Sequence, residues 1–287
     1  PQKVRCRGQV TPQTGKLRYR LEVKEMGLAP HPYAIANIDI LLGDRIVVDF
    51  KDLGVQIVEK KEDDSYRITQ NKSVMSTMNP IPEVSREEKA LYTQYHLQHF
   101  AKGTLSECFG PAFKIYDNRT APRTPNGDLQ LTTRIMEVHG TPGDFSGPAT
   151  TIAEYDVPVD AWYFKNKSHP SVIPYSIIME IALQPCGFIS ACMETTLLYP
   201  ETDFYFRNLD GTGTLHRDID LRGKTIQNRS TLLTTAAMGN TIIQTFTFHM
   251  SVDGLDYYTG TAAFGYFVAS ALTDQVGLDS GIDNHPL

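Results

Sequence analysis

The stretch DAWYFKNKSHPSVIPYSIIMEIALQPCGFISAC, Asp160 to Cys192, decides the fold. From Ser176 to about Met193 it is apolar on nearly every side of a helix. Such a helix would be about 27 Å long. Being hydrophobic all round, it belongs at the centre of a protein, with a sheet wrapped about it. It is a poor membrane span, because it carries Glu180, Gln184 and Pro185 and has no basic flanks. Pro185 is expected to kink the helix near Ile181, since it offers no N–H there. Glu180 and Gln184 are four residues apart and share a face. They are either a buried polar pair that satisfies itself or a backbone group, or a site carboxylate with its neighbour.

The flanking sequence supplies the strands. Leu17 to Val23 (LRYRLEV) alternates apolar and polar. Ala34 to Leu42, the Gly43-Asp44 turn and Ile46 to Phe50 read as a hairpin, and Gly54 to Val58 ends the block. Residues 61–84 are polar and close on Pro80 and Pro82, the composition of a linker. Ser85 and Glu88 form a capping-box pattern that predicts a helix from Arg86 to about Lys102, stopped by Gly103. Further strands are expected at Leu129–Val138, Thr150–Asp156, Phe204–Asn208, Leu215–Leu221, Ser230–Ala237, Thr241–Val252 and Tyr257–Val268. Together these give an α+β chain with an antiparallel sheet curled around one long helix, the hotdog fold.

An internal repeat organises these strands. Arg7-Gly8 is echoed by Arg222-Gly223, Met26-Gly27 by Met238-Gly239, the Gly43-Asp44 turn by Asp253-Gly254, and Gly54 by Gly265. The second copy has strands, helix and strands; the first has only the strands that follow a helix.

The composition, 41% hydrophobic and 21% charged, is that of a globular protein, and the formal net charge of -6 argues against a nucleic-acid partner. Cys6, Cys108, Cys186 and Cys192 are scattered with no CxxC pair, so no metal site is expected and a reducing, cytoplasmic setting is. His96 and His99 in YHLQHF could pair on a helix face, but they have no third ligand nearby in sequence. Asp210-Gly-Thr-Gly213 lacks the following helix and lysine of a phosphate loop. Arg207, just before it, is either a sheet-edge residue or a contact for an acidic protein partner. The chain starts without Met, and it is expected to be a segment of something longer.

The block RGQVTPQTGKLRYRLEVKEM…ANIDILLGDRIVVDFKDLGVQIV is similar to the C-terminal strands of the FabA-like 3-hydroxyacyl-[acyl-carrier-protein] dehydratases. DAWYFKN…PYSIIMEIALQPCGF, followed by FYFRNLDGTG, resembles the first hotdog of the dehydratase domains in polyunsaturated fatty acid synthases, which are polyketide-synthase-like multienzymes. The resemblance implies that residues 1–60 are the tail of a preceding FabA-like hotdog. Residues 61–84 are then a linker, 85–270 a complete but degenerate first hotdog of the next dehydratase, and 271–287 a linker.

It also implies a chemistry without cofactor or metal. A His on the loop before the helix takes the C2 proton, and a helix carboxyl on the partner hotdog helps the hydroxyl leave. Amides at the helix N-terminus face the thioester oxygen. The family pattern is His-Phe, three residues, then Pro-Val-x-Pro-Gly. On that pattern Glu180 takes the acidic position and Pro174 the proline, while Tyr175 replaces the glycine and Ser176 follows; Pro174, Tyr175 and Ser176 are the implied substrate-binding residues. Asn166 stands at the histidine position, and His169, the candidate base, is three residues nearer the helix. Glu180 is therefore expected to face a His from a second hotdog beyond Leu287. The implied partners are acyl carrier domains with phosphopantetheine-linked chains, and adjacent hotdogs of the same polypeptide. A non-catalytic carrier-docking hotdog and a hotdog thioesterase are the alternatives.

Overall fold

The computed structural model describes residues 2–57, 86–165, 172–273 and 275–279. The central helix is where the sequence puts it: α3, Tyr175–Cys192. Before it come two short helices, α1 (Gln94–Ala101) and α2 (Leu105–Phe109). The strands are β1 (Gln2–Cys6), β2 (Leu17–Gly27), β3 (Tyr33–Leu42), β4 (Arg45–Gln56), β5 (Arg134–His139), β6 (Ala149–Asp156), β7 (Tyr205–Leu215), β8 (Thr225–Met238), β9 (Thr241–Val252), β10 (Leu255–Phe267) and β11 (Leu278–Asp279).

All eleven belong to one antiparallel sheet, ordered β2-β3-β4-β1-β7-β10-β9-β8-β6-β5, with β11 on β4. From β2 to β8 the order is a palindrome about the β1–β7 junction. On the repeat, β2 corresponds to β8, β3 to β9, β4 to β10 and β1 to β7, so the two copies are related by a pseudo-two-fold at that seam. The seam is short: Gln2, Lys3, Val4 and Arg5 face Gly213, Thr212, Gly211 and Asp210. Across it, the sheet neighbour of the helix-bearing copy is the N-terminal block.

The α3 helix is apolar all round because it is covered all round. Ile181, Ala182, Cys186 and Ile189 pack on Leu232, Phe246, Met250, Ala262 and Phe264 of the sheet. Phe188, on the other side, is enclosed by Leu97, Phe100, Leu105, Cys108 and Phe113 from the α1–α2 flank. Each buried side chain of this size is worth about 1.5–3 kcal/mol over exposure. By length and hydropathy α3 could cross a membrane, but 67% of its most apolar window is buried in the protein. All four cysteines are free thiols, and burial pushes Cys186 up to about 12.

α3 runs without a break through Pro185. The proline cannot donate to the Ile181 carbonyl four residues back. The side chain of Asn228 on β8 replaces it, with Nδ2 donating to Ile181 O and Ala182 O, both at 3.1 Å.

Three other expectations change. The first helix starts at Gln94, not Arg86, because Arg86–Lys89 form a turn whose charges pair with Glu154 and Arg134 (3.3 and 3.6 Å). The capping box is formed by Thr93 and His96. The Phe204–Asn208 strand runs on through the Gly-rich step as β7 and ends at Leu215, while 216–221, expected as a strand, is not one. The tail is not all linker: Val276 bridges Gly8, and β11 takes the Arg45–Ile46 edge that β1 leaves open. The 61–84 linker lies outside the described residues.

Candidate functional site

The α3 stripe of Glu180, Leu183, Gln184, Gly187 and Ala191 forms one wall of a cavity of about 270 Å³. These residues recur at three- and four-residue steps, so they line one face. The opposite walls are aromatic: Phe100, Phe109 and Phe113 from the flank, and Phe206, Phe264 and Tyr266 from β7 and β10. Asn208 and Arg123 add polar groups at the margins. Arg123 is held by the carbonyls of His99 and Phe100 at 3.1 and 3.3 Å, and its burial lowers its pKa.

Glu180 is the carboxyl on this wall. It is half-buried, and desolvation raises its pKa against the opposing effect of a hydrogen bond from Gln184. That bond, Gln184 Nε2 to Glu180 Oε1, is 3.0 Å. Gln184 also donates to Leu129 O at 2.6 Å and accepts from Leu131 N at 2.8 Å and Thr132 Oγ1 at 3.4 Å. Glu180 and Gln184 thus form a polar pair that also satisfies backbone groups. Gln184 ties the 129–132 segment to α3, and Glu180 is presented to the cavity with its proton favoured.

Pro174, Tyr175 and Ser176 are the start of α3, with Pro174 as N-cap. Pro174 and Ser176 are exposed; Tyr175 is half-buried and its hydroxyl accepts from Tyr258 at 3.2 Å. None of the three lines the cavity. Glu180 sits about 7.5 Å further along the helix axis than Tyr175. His169 and Asn166 lie outside the described residues.

His96 and His99 are helix caps and not a pair turned to a ligand. Their Nδ1 atoms accept from Thr93 N (3.1 Å) and Thr104 N (3.0 Å). Arg207 donates to its neighbour's carbonyl, Phe206 O, at 2.8 Å. The glycines of DGTG serve close packing: a Cβ at Gly213 would overlap the Tyr258 hydroxyl, and one at Gly211 would press on Thr261 O at 3.3 Å.

The cavity aromatics of β7 and β10 were open to sequence reasoning only as strand alternation. Phe206 and Asn208 share one face of β7, but nothing in that pattern says the face meets a carboxyl.

Comparisons with known proteins bear on this arrangement in two steps. Residues 1–51 match the FabA-like domain family. A polyunsaturated fatty acid synthase polypeptide of Thraustochytrium sp. is 29% identical over 395 residues, an alignment that takes in 100% of this chain and 26% of that protein. The chain thus spans about a quarter of the relative's length. Among solved structures, acyl-CoA thioesterase II TesB2 from Mycobacterium marinum superposes with a TM-score of 0.49 at 7% identity, covering 94% of this chain and 81% of that one. The dehydratase heterocomplex ApeI:P from Xenorhabdus doucetiae gives 0.39 at 13% identity, covering 53% and 93%.

Proposed function

We propose that this chain is part of the dehydratase region of a multifunctional fatty-acid or polyketide synthase. It removes water from 3-hydroxyacyl chains held on acyl carrier protein and leaves enoyl thioesters. The observation that carries the reading is a carboxyl whose proton is favoured by burial, on the central helix, facing an aromatic cavity of acyl-chain character. The FabA-like match of the N-terminal strands and the full-length alignment to a fatty acid synthase support it.

In this reading Glu180 gives its proton to the hydroxyl leaving C3, and so becomes the conjugate base while water is formed. A base takes the C2 proton; His169 is the candidate within the chain, and a neighbouring hotdog is the alternative source. The Tyr175 and Ser176 amides, at the positive end of the α3 dipole and outside the cavity lining, are this reading's donors for charge that grows on the thioester oxygen. The aromatic walls receive the acyl chain. The partners are carrier domains bearing phosphopantetheine and the adjoining hotdogs, and the reaction needs no metal or cofactor.

The test replaces Glu180 with Gln and with Ala in the intact synthase polypeptide and follows enoyl formation from 3-hydroxyacyl carrier thioesters. Loss of a proton-transfer group predicts a fall of about 10²–10⁴-fold with the fold retained. Unchanged turnover in a folded protein would make Glu180 a packing residue. Thioester hydrolysis without enoyl product would replace dehydration by thioesterase chemistry.

A further inference from the structure

Gly187 is the one glycine inside an α-helix among the described residues, and none of the ordinary reasons for a glycine applies to it. Its backbone is helical and not left-handed. A Cβ built there would meet nothing within 4 Å, whereas one at Gly260, Gly213 or Gly265 would overlap a neighbour. Pro185 does not ask for it either, because a helical proline crowds the residue four back, Ile181. A glycine in a helix interior weakens the folding equilibrium about two- to fivefold relative to alanine. Gly187 therefore lowers stability with no gain in packing.

The space its side chain would fill is the cavity. Gly187 lies on the same α3 face as Glu180, about 10.5 Å further along the helix axis. Ala191 continues the line about 16.5 Å from Glu180, and Thr196 follows beyond the helix end. The cavity thus extends along α3, with Gly187 between the carboxyl and the far end. The facing walls are braced. Phe109 packs on Phe100, Phe113 and Phe188 with ring centroids 5.0, 5.0 and 5.4 Å apart, and Phe206 on Phe264 and Tyr266 at 4.8 and 5.1 Å. Interlocked rings at the density of a protein interior have little slack. A side chain at 187 would narrow the bore and not push the wall aside.

We propose that Gly187 determines the length of acyl chain the cavity accepts: its absent side chain keeps the bore open past the second turn from Glu180, and the substrates are long-chain 3-hydroxyacyl thioesters whose tails run beyond it. The identity of the reacting end, with Glu180 at C3, rests on the dehydratase reading. The tail then lies against Leu183, Gly187 and Ala191. A short chain ends before Gly187. For a long one, each methylene displaced by a side chain at 187 forfeits about fourfold in binding.

The test uses Gly187→Ala and Gly187→Leu. In the intact synthase polypeptide, enoyl formation from 3-hydroxyhexadecanoyl and 3-hydroxybutyryl carrier thioesters gives the ratio of the two kcat/KM values. Gly187→Leu should lower the long-to-short ratio by about tenfold or more, the effect of two displaced methylenes. An unchanged ratio would overturn the proposal. Binding of hexadecanoyl pantetheine to residues 1–287, read by calorimetric titration, needs no chemistry and separates this proposal from the dehydratase reading. If no chain is dehydrated yet Gly187→Leu weakens that binding by about tenfold, the long-chain cavity stands and the reaction is another. No binding by the unsubstituted chain, or equal affinity with and without the leucine, overturns the proposal whatever the activity. Melting temperature is the third readout. Gly187→Ala should raise it by roughly 1–4 °C; a fall would make the glycine a packing requirement and overturn the proposal as well.

Discussion

The bond between Asn228 and the helix interrupted by Pro185 makes a quantitative prediction. Asn228 is 2% exposed and its amide is the donor that meets Ile181 O in place of the missing Pro185 N–H. Asn228→Ala strands that carbonyl in the core, which costs about 1–3 kcal/mol. At this chain length, 2 kcal/mol corresponds to roughly 4–8 °C in Tm. Pro185→Ala restores a backbone donor four residues from Ile181. In that background Asn228→Ala should therefore cost less, by about 1 kcal/mol, one ordinary net hydrogen bond. The Ser230 hydroxyl also donates to Asn228, at 3.2 Å, but that loss is common to both backgrounds and cancels. The assay is urea denaturation of the four chains, read as midpoint shifts at constant slope. Additivity within about 0.3–0.5 kcal/mol would refute the idea that Asn228 stands in for the proline's absent donor.

Other expectations are briefer. Glu180 has a folded pKa raised above its usual 4.5. The native state then holds a proton that the unfolded chain has lost, so stability should fall as pH rises from 4.5 to the raised value and level off above it; Glu180→Gln should erase that slope in urea midpoints across the same range. Arg134 joins buried Glu154 at 2.8 Å and both oxygens of Asp156 at 2.8 Å, so Arg134→Ala should cost about 3 kcal/mol in denaturation by leaving Glu154 buried with Arg86 alone. A Cβ at Gly260 would collide with the Thr212 carbonyl, whereas one at Gly54 meets nothing within 4 Å. Gly260→Ala should cost about 1–3 kcal/mol and Gly54→Ala under about 0.5, both by calorimetry.

The sequence made the long elements legible because their burial is periodic. Alternation in LRYRLEV and the unbroken apolar run after Pro174 translate directly into β2 and α3. What stayed hidden was settled by partners distant in sequence. Arg86 and Glu87 look like a helix start, yet their charges are claimed by Glu154 and Arg134 on β6 and β5, and the helix waits until Gln94. Gly211 and Gly213 look like a gap between two strands until Tyr258 and Thr261 are seen occupying the space their side chains would need. At the site, Glu180 was legible as an anomaly in an apolar run, and its link to Gln184 as a four-residue step. The aromatic walls were not, since α1, α2, β7 and β10 converge on it only in three dimensions.

The seam between the copies has an evolutionary consequence. Its four residue pairs set two glycines and a threonine of β7 against β1, so the join is made largely of backbone amides and carbonyls. A junction that reads mostly main chain, with the Lys3–Asp210 ion pair (3.4 Å) beside it, places little selection on most of its sequence. After a duplication, one copy could lose its catalytic residues and drift far from its twin while the pair still assembled around the same axis. A degenerate unit can persist there as scaffolding, kept for its shape after its chemistry has gone.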